Sequence, residues 1–115
     1  MVHRTRLPVP WSFVFVSAEA KAELDALPAD FRASFERIVG LVRALGLEQV
    51  HEPQIKHVDG RVWEMRLRGR DGIARALYVT AAGQRAVVLR VFAKKTPKTP
   101  RREIELAHRR AREVT

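Results

Sequence analysis

The chain contains no cysteine among its 115 residues. Disulfides, thiolate nucleophiles and thiolate-bound metals are therefore excluded, and the fold must be stabilised by packing alone. No apolar run approaches the roughly 20 residues of a transmembrane helix. A basic start followed by apolar residues 11–16 imitates a secretory signal, but two prolines and the shortness of the run argue against export. We therefore expect a cytoplasmic protein.

The signatures of several enzyme classes are missing too. There is no glycine-rich phosphate loop, no pair of histidines at metal-binding spacing, and no serine set beside a base. The four histidines are scattered along the chain, at His3, His51, His57 and His108. The sequence therefore predicts no metal site and no cofactor.

Acidic residues are in the minority. Lysine and arginine total 22 against 13 acidic residues, which gives a net charge of +9 and a pI of about 11.2. This excess favours a polyanionic partner, with nucleic acid first and a membrane surface or an acidic protein as alternatives. The length predicts one domain with a modest core. We assign residues 1–9 to a flexible basic N-terminal arm and residues 10–115 to the domain.

The first part of the domain predicts one strand and two helices. Residues 11–16 are rich in aromatic and β-branched residues, as in a strand. Ser17 suits the N-cap of a helix that Pro28 ends. A second helix is predicted over about residues 29–45, because apolar residues recur there at three- and four-residue spacing. The helices should form a hairpin on one face of a sheet, and residues 46–60 are predicted mainly as a connecting loop.

From there onward the apolar period changes to two. Trp63, Met65 and Leu67 alternate with polar residues, the pattern of a strand with one buried face. Turn signals separate two further strands, so that the three form an antiparallel meander. Pro100 opens a last helix. The predicted order is β-α-α-β-β-β-α, an α+β domain with an antiparallel sheet, an N-terminal helix hairpin and a C-terminal helix.

Cations lie on the predicted strands and at the end of the last one. They are Arg66, Arg68, Arg75, Arg90, Lys94 and Lys95. A buried unpaired guanidinium costs several kcal/mol, so these arginines must face solvent, a carboxylate such as Glu64, or a ligand. Glu–Arg pairs on a solvated face would explain any single arginine. The convergence of the whole set on one face would favour a binding surface.

Such a face can bind an RNA backbone and stabilise charge at a phosphate. Cleavage by the 2′-hydroxyl of the RNA needs a base, stabilisation of the phosphorane and an acid. A lysine crowded by cations has a lowered pKa and could act as the base, while arginine suits stabilisation. Tyr78 could stack on a base or be a half-buried strand aromatic. The residues assigned to RNA binding are Tyr78, Arg90, Phe92, Lys98, Arg101 and Arg102.

Three segments together resemble the RelE/ParE toxin superfamily, and most of all its HigB-like, phage-derived branch. They are Trp63-Glu64-Met65-Arg66, Arg75-Ala76-Leu77-Tyr78, and the run from Phe92 to Pro100. The resemblance spans about residues 10–113. It implies the toxin of a type II toxin–antitoxin pair, which enters the ribosomal A site and cuts mRNA there without a metal. It also implies a helix-turn-helix antitoxin as partner, in a toxin–antitoxin hetero-oligomer, and no membrane.

The resemblance also implies a catalytic set. By position it gives Arg66, Arg68, Arg75 and Lys95, with Lys94 as the neighbour of Lys95, and Lys56 and His57 join the set as candidates for the general base. RelE carries a base-stacking tyrosine near the start of its last helix, where this chain has Arg101, and HigB-like members use a histidine. The identity of the general base stays open among Lys56, His57 and Lys95.

Two other functions remain as alternatives. One is a ParE-like inhibitor that binds DNA gyrase and cuts nothing, although ParE-like members generally lack the cations at the strand end. The other is a non-catalytic nucleic-acid-binding module, for which steep salt dependence of binding without cleavage would be the mark.

Overall fold

The computed structural model describes residues 10–94 and 96–114. Its elements are β1 (Ser12–Phe15), α1 (Ala18–Asp25), α2 (Ala29–Leu45), a short 3₁₀ helix (Leu47–Gln49), β2 (Ile55–Asp59), β3 (Val62–Gly69), β4 (Gly72–Ala81), β5 (Arg85–Lys94) and α3 (Arg101–Ala111). The α+β class and the predicted order of elements are confirmed, with one strand added. The arm predicted at residues 1–9 lies outside the described residues, as does Lys95.

The five strands form one sheet in the order β1-β5-β4-β3-β2. Strands β2 to β5 are antiparallel neighbours, so the predicted meander is present and β2 extends it at one edge. At the other edge, β1 pairs with β5 in parallel. The predicted antiparallel sheet is therefore antiparallel except at β1.

The added strand, β2, lies in the stretch of residues 46–60 that the sequence predicts mainly as a loop. Lys56 and His57 are exposed, and Ile55 is the only fully buried residue of the strand. Because an edge strand needs few apolar residues, it shows no clear alternation that sequence reading could detect.

The helices α1 and α2 cover one face of the sheet, here called the hairpin face. Ser17 caps α1 as predicted, since its hydroxyl accepts the N–H of Ala20 at 3.2 Å. The apolar stripe of α2 buries Phe35 and Ile38 against Met65 of β3. This hydrophobic contact holds the helix hairpin to the sheet.

The opposite face, here called the α3 face, changes character along the strands. Its apolar end carries Val62, Leu77 and Val79, which are fully buried with Ala107 and Ala111 of α3. Its polar end begins one side-chain position further along β3 and β4, because residues two apart in a strand share a face. The candidate site lies at this polar end.

The alternation in β3 predicts Trp63 inside and Glu64 outside, and the structure reverses this. Trp63 is 40% exposed, whereas Glu64 is 1% exposed. The prediction was wrong because both faces of the sheet are covered, so a polar residue opposite a core residue need not face solvent. Glu64 tolerates burial because charged and polar partners surround its carboxylate.

Strand β5 contains a bulge, where Leu89 and Arg90 together occupy the space opposite Leu77. Both side chains consequently turn toward α3. Beyond the part of β5 that pairs with β1, the N–H of Val91 is accepted by the Glu23 carboxylate of α1 at 3.1 Å. A side chain from the hairpin therefore takes the place of a missing strand.

Candidate functional site

A cleft of about 190 Å³ opens at the polar end of the α3 face. Its polar lining residues are Lys56, His57, Glu64, Arg75, Lys98 and Thr99. They come from β2, β3, β4 and residues 96–99, which form most of the link between β5 and α3 and are here called the link segment. The cleft is smaller than the roughly 300 Å³ or more of typical small-molecule pockets. It therefore suits one part of a long ligand that crosses the surface.

The Glu64 carboxylate organises the floor of the cleft. Its Oε2 accepts hydrogen bonds from Nε of Arg66 at 3.2 Å and from Nη1 of Arg75. Its Oε1 accepts a hydrogen bond from the hydroxyl of Thr99 at 2.7 Å. Burial alone would raise the pKa of Glu64, but these hydrogen bonds and the arginine charges outweigh it and lower the pKa below its ordinary value. Glu64 is therefore ionised at neutral pH, which suits it to hold cations and not to accept a proton.

Strand register explains why a carboxylate is needed at this position. Arg66 and Arg75 lie directly opposite each other in the β3–β4 pair. Like charges in opposite positions destabilise a sheet. Glu64 bonds to both arginines, so it offsets their repulsion while the cluster remains net positive.

Arg75 is the most deeply buried cation of the site, at 5% exposure. Its Nη1 donates to Glu64 and to the Thr99 hydroxyl at 3.0 Å, and its Nη2 donates to the Pro97 carbonyl at 3.0 Å. Its Nε is buried and has no hydrogen-bond partner in the part of the chain that the structure describes. The guanidinium thus joins β3 and β4 to the link segment.

Two exposed lysines line the cleft from different elements. Lys56 belongs to β2 and lies in register with Glu64 of β3. Lys98 belongs to the link segment, where its own carbonyl accepts the Thr96 hydroxyl at 2.9 Å. Together with Arg75, these lysines give the cleft an excess of positive charge over the single carboxylate of Glu64. An anionic ligand such as a phosphodiester is the chemistry that this charge favours.

His57 also lines the cleft, and its ring is held in place from two sides. Its Nε2 lies 2.8 Å from the Gly60 carbonyl, and its ring packs edge-on against Trp63 with centroids 5.1 Å apart. A carbonyl oxygen can only accept, so Nε2 carries a proton and Nδ1 is the basic nitrogen of the neutral ring. The Gly60 carbonyl and the Trp63 ring therefore fix the orientation of the imidazole.

Two of the predicted RNA contacts are wrong for this structure. Tyr78 is 1% exposed and lies on the hairpin face, with its side chain in the same core cluster as Met65. Burial raises the pKa of its hydroxyl, which stays protonated. Phe92 is 8% exposed and packs in the cluster beneath α3. Neither ring is available to stack on a base, because each is packed in the core. The sequence pattern alone does not distinguish a buried aromatic side chain from an exposed one.

A third predicted RNA contact, Arg90, is engaged by carboxylates. Its guanidinium lies 2.8 Å from Glu103 of α3 and 2.9 Å from Glu23 of α1. Hydrogen bonding to Glu103 raises the pKa of Arg90 further above its ordinary value. This arginine ties both helices to β5, and it does not line the cleft. Its assignment to RNA binding is therefore corrected to a structural role.

The remaining predicted residues lie outside the cleft or cannot be described. Arg68 is exposed on β3, and its backbone N–H donates to Ser34 of α2 at 3.0 Å. Arg101 and Arg102 are exposed in the first turn of α3. Lys94 ends β5, but nothing is described of its side chain, and Lys95 lies outside the described residues.

Sequence reasoning missed the central roles of Glu64 and Thr99. Glu64 stands among arginines in an alternating strand, which was a usable signal, but the alternation placed it in solvent. Thr99 lies in a Thr/Pro turn whose composition already explains the end of a strand and the start of a helix. Its bonds to Glu64 and Arg75 depend on tertiary contacts that sequence pattern does not encode.

The described residues offer neither a metal-binding cluster nor a membrane-spanning helix. Within residues 10–94 and 96–114, no group of three or more histidine, aspartate or glutamate side chains could hold a metal ion. Across the same two ranges, none of the helices combines the length and apolar character that crossing a bilayer requires.

The sequence also matches a known protein family. The model of the phage-derived protein Gp49-like family (DUF891) matches residues 22–112, which include every residue that lines the cleft. No curated protein matches the chain. Assignment to the HigB-like branch stays a prediction. The match extends from within α1 to just beyond α3, so the chain belongs to the phage-derived Gp49-like family, a family of RelE-like toxins.

Proposed function

We propose that this RelE-like chain is the toxin of a type II toxin–antitoxin pair, of the HigB-like branch, and that it cuts mRNA on the translating ribosome. The reaction is phosphoryl transfer in which the 2′-hydroxyl of the RNA attacks the adjacent phosphate. The observation that carries this proposal is the cleft in which the exposed Lys56 and Lys98 lie beside the buried Arg75–Glu64 ion pair.

The cleft supplies the charge that this reaction needs. The transition state gathers negative charge on the phosphorane oxygens, and positioned cations stabilise such charge most effectively. Lys56 and Lys98 are exposed at the cleft. Within the described residues, the partly buried Arg66 bonds to Glu64 through Nε, which leaves its two terminal nitrogens for a phosphate. Arginine suits this role because its planar fork matches two phosphate oxygens.

The proton transfers require a base and an acid. The base takes the proton of the 2′-hydroxyl as its oxygen bonds to phosphorus, and the acid protonates the 5′-oxygen as the P–O5′ bond breaks. The products are a 2′,3′-cyclic phosphate and a 5′-hydroxyl end. Among the described residues that line the cleft, His57 and Lys56 are the proposed candidates for these two roles, because imidazole and amine side chains are common general acids and bases.

The test is translation in a reconstituted system with ribosomes and a defined mRNA. The wild-type chain should produce new mRNA ends carrying a 2′,3′-cyclic phosphate, mapped by primer extension and end-group analysis. The double variant Lys56→Gln, Lys98→Gln should cut at least about a hundredfold more slowly, because positioned charges at a transition state each contribute about tenfold or more. Lys21→Gln is the matched control, since it removes an exposed lysine from α1, far along the chain from the cleft.

Intact mRNA with the wild-type chain would contradict the proposal. Growth arrest with DNA damage signalling and unbroken mRNA would instead indicate inhibition of DNA gyrase. Binding to RNA with no cleavage under any condition would indicate a non-catalytic module. Co-purification of the chain with the product of a neighbouring helix-turn-helix gene, and loss of cleavage in that complex, would establish the antitoxin.

A further inference from the structure

We infer that Arg75 acts in this site as a positioning residue, which fixes the link segment against the sheet and thereby places Lys98 at the cleft. The inference rests on the proposed function and names a role within it. It assigns the phosphate contacts to the exposed cations around Arg75 and not to Arg75 itself.

The guanidinium of Arg75 already donates hydrogen bonds to other groups of the protein. Both hydrogens of Nη1 have acceptors, in Glu64 and Thr99, and Nη2 donates to the Pro97 carbonyl. The side chain is 6% exposed, and its Nε is buried. An arginine that grips a phosphate needs a pair of parallel N–H groups open to the ligand. Arg75 offers no such solvent-facing pair while the link segment is in place.

Within the part of the chain that the structure describes, the link segment has few hydrogen bonds to the sheet other than those to Arg75. Thr96, Pro97 and Lys98 are exposed, and the Thr96–Lys98 hydrogen bond is internal to the segment. Among the described residues, the side-chain hydrogen bonds that join the segment to the sheet are those of Thr99 and Pro97 with Arg75, and of Thr99 with Glu64. A segment with exposed side chains and few tertiary hydrogen bonds opens easily when those bonds are lost.

The hydroxyl of Thr99 couples the two charged partners, Glu64 and Arg75. Its hydroxyl donates to Glu64 Oε1 at 2.7 Å and accepts from Arg75 Nη1 at 3.0 Å. One side chain therefore closes a ring of hydrogen bonds with a buried ion pair. Valine has nearly the shape of threonine without the hydroxyl, so Thr99→Val removes the ring and leaves the Arg75 guanidinium and its charge.

The first measurement does not depend on activity. Trypsin cleavage of the native chain after Lys98, followed by mass spectrometry, reports how often the link segment opens. Thr99→Val should be cut several times faster than the wild type, and Thr99→Ser, which restores the hydroxyl, should return to the wild-type rate. Arg109→Gln, on the exposed side of α3, is the control and should not change cleavage after Lys98.

The second measurement is mRNA cleavage by the same variants. Displacement of a catalytic group by about 1 Å costs up to a hundredfold in rate, so Thr99→Val should lose between about tenfold and a hundredfold, and Thr99→Ser should recover it. Arg75→Gln should lose activity too, and the double variant with Thr99→Val should be no slower than Arg75→Gln alone. Thr99→Val guards against the possibility that Arg75→Gln fails to fold, because Thr99 is only partly buried.

Each outcome decides something. Unchanged trypsin cleavage in Thr99→Val would overturn the inference whatever the RNA result. Faster trypsin cleavage with undiminished RNA cleavage would also overturn it, as would a double variant whose losses multiply, which is expected if Arg75 contacts the phosphate independently. Faster trypsin cleavage in a chain whose wild type cuts no RNA would support the anchoring role and overturn the proposed function instead.

Discussion

Glu64 is the residue on which the polar end of the α3 face depends. Its carboxylate is 1% exposed and bonds to Arg66, Arg75 and Thr99. Buried ion pairs add little net stability compared with an apolar core, but removal of one partner leaves an uncompensated charge. Breaking the Glu64–Arg75 ion pair should therefore lower the free energy of unfolding by more than the intact pair contributes to it.

Glu64→Gln should accordingly lower the free energy of unfolding by about 3 kcal/mol at neutral pH, because Arg75 would be left buried without a counter-ion. Urea unfolding followed by circular dichroism measures this. Glu105→Gln, on an exposed position of α3, is the matched control and should change the free energy by less than about 0.5 kcal/mol. A loss of similar size in both variants would contradict the assigned role of Glu64.

The same carboxylate predicts an acid dependence of stability. The pKa of Glu64 is lowered in the folded chain from its ordinary value of 4.5, since hydrogen bonds and the arginine charges outweigh the opposing effect of burial. Its contribution is then complete above that value and is lost as the pH falls toward the folded pKa. The free energy of unfolding should therefore fall as the pH drops below 4.5, and fall less steeply in Glu64→Gln. Equal slopes in the two proteins would contradict this prediction.

At the scale of the residue, the sequence predicted which side chains bear charge but not which of them face a ligand. Lys56, His57 and Lys98 were all named from the sequence, and all three line the cleft. Tyr78 and Phe92 were named as well, and both are buried. Whether an aromatic side chain in a strand is buried depends on which helix covers that face, which local pattern does not determine.

At the scale of the element, the contact between α2 and the end of β3 is unusually close. A Cβ placed on Gly69 would lie 2.6 Å from the ring of Phe31, which is itself buried. Real Cβ atoms do not approach other atoms so closely, and the ring cannot move without disturbing the core. The hairpin can therefore approach β3 this closely only because position 69 has no side chain.

Gly69→Ala should destabilise the fold by about 1–3 kcal/mol, which is the usual cost of overpacking a core. Gly40→Ala is the matched control, because a Cβ at that position in α2 meets nothing within 4 Å. It should stabilise the helix by up to about 1 kcal/mol through its higher helix propensity. Thermal unfolding of the two variants measures both effects. A stabilising Gly69→Ala would show that Phe31 can rotate away.

Elements with a strong apolar period were predicted well. The α2 stripe, the Ser17 cap and the three meander strands are all present near their predicted positions. The edge strand β2 and the bulge at Leu89–Arg90 were missed. Both depend on what lies beside the strand, since an edge needs few apolar residues and a bulge interrupts the alternation on which the prediction relies.

At the scale of the whole molecule, the net charge of +9 is the main term in any interaction with nucleic acid. Binding of single-stranded RNA releases counterions, so the logarithm of the binding constant falls with the logarithm of salt concentration by about 0.7 for each phosphate contacted. The slope of that dependence therefore measures how many phosphates the protein contacts with its cations.

Lys56→Gln, Lys98→Gln should reduce this slope by about 1.4, the share of two phosphate contacts. Fluorescence anisotropy with a labelled RNA oligonucleotide over a range of salt concentrations provides the measurement. Lys21→Gln removes one exposed charge from α1, which covers the opposite face of the sheet and does not line the cleft, and should leave the slope unchanged. A slope that decreases in the control as it does in the double variant would mean that RNA is held by charge spread over the surface and not by the cleft.

Along the α3 face, single strands pass from the apolar end to the polar end, so mutations at neighbouring positions of one strand should have different effects. Leu77 in β4 is fully buried beneath α3, whereas Arg75, on the same face, belongs to the cleft. Adjacent side chains on one face of a strand are about 7 Å apart. A scan along β3 and β4 should therefore meet a border one side chain wide, with loss of apolar packing on one side of it and loss of ion pairs and of the site on the other.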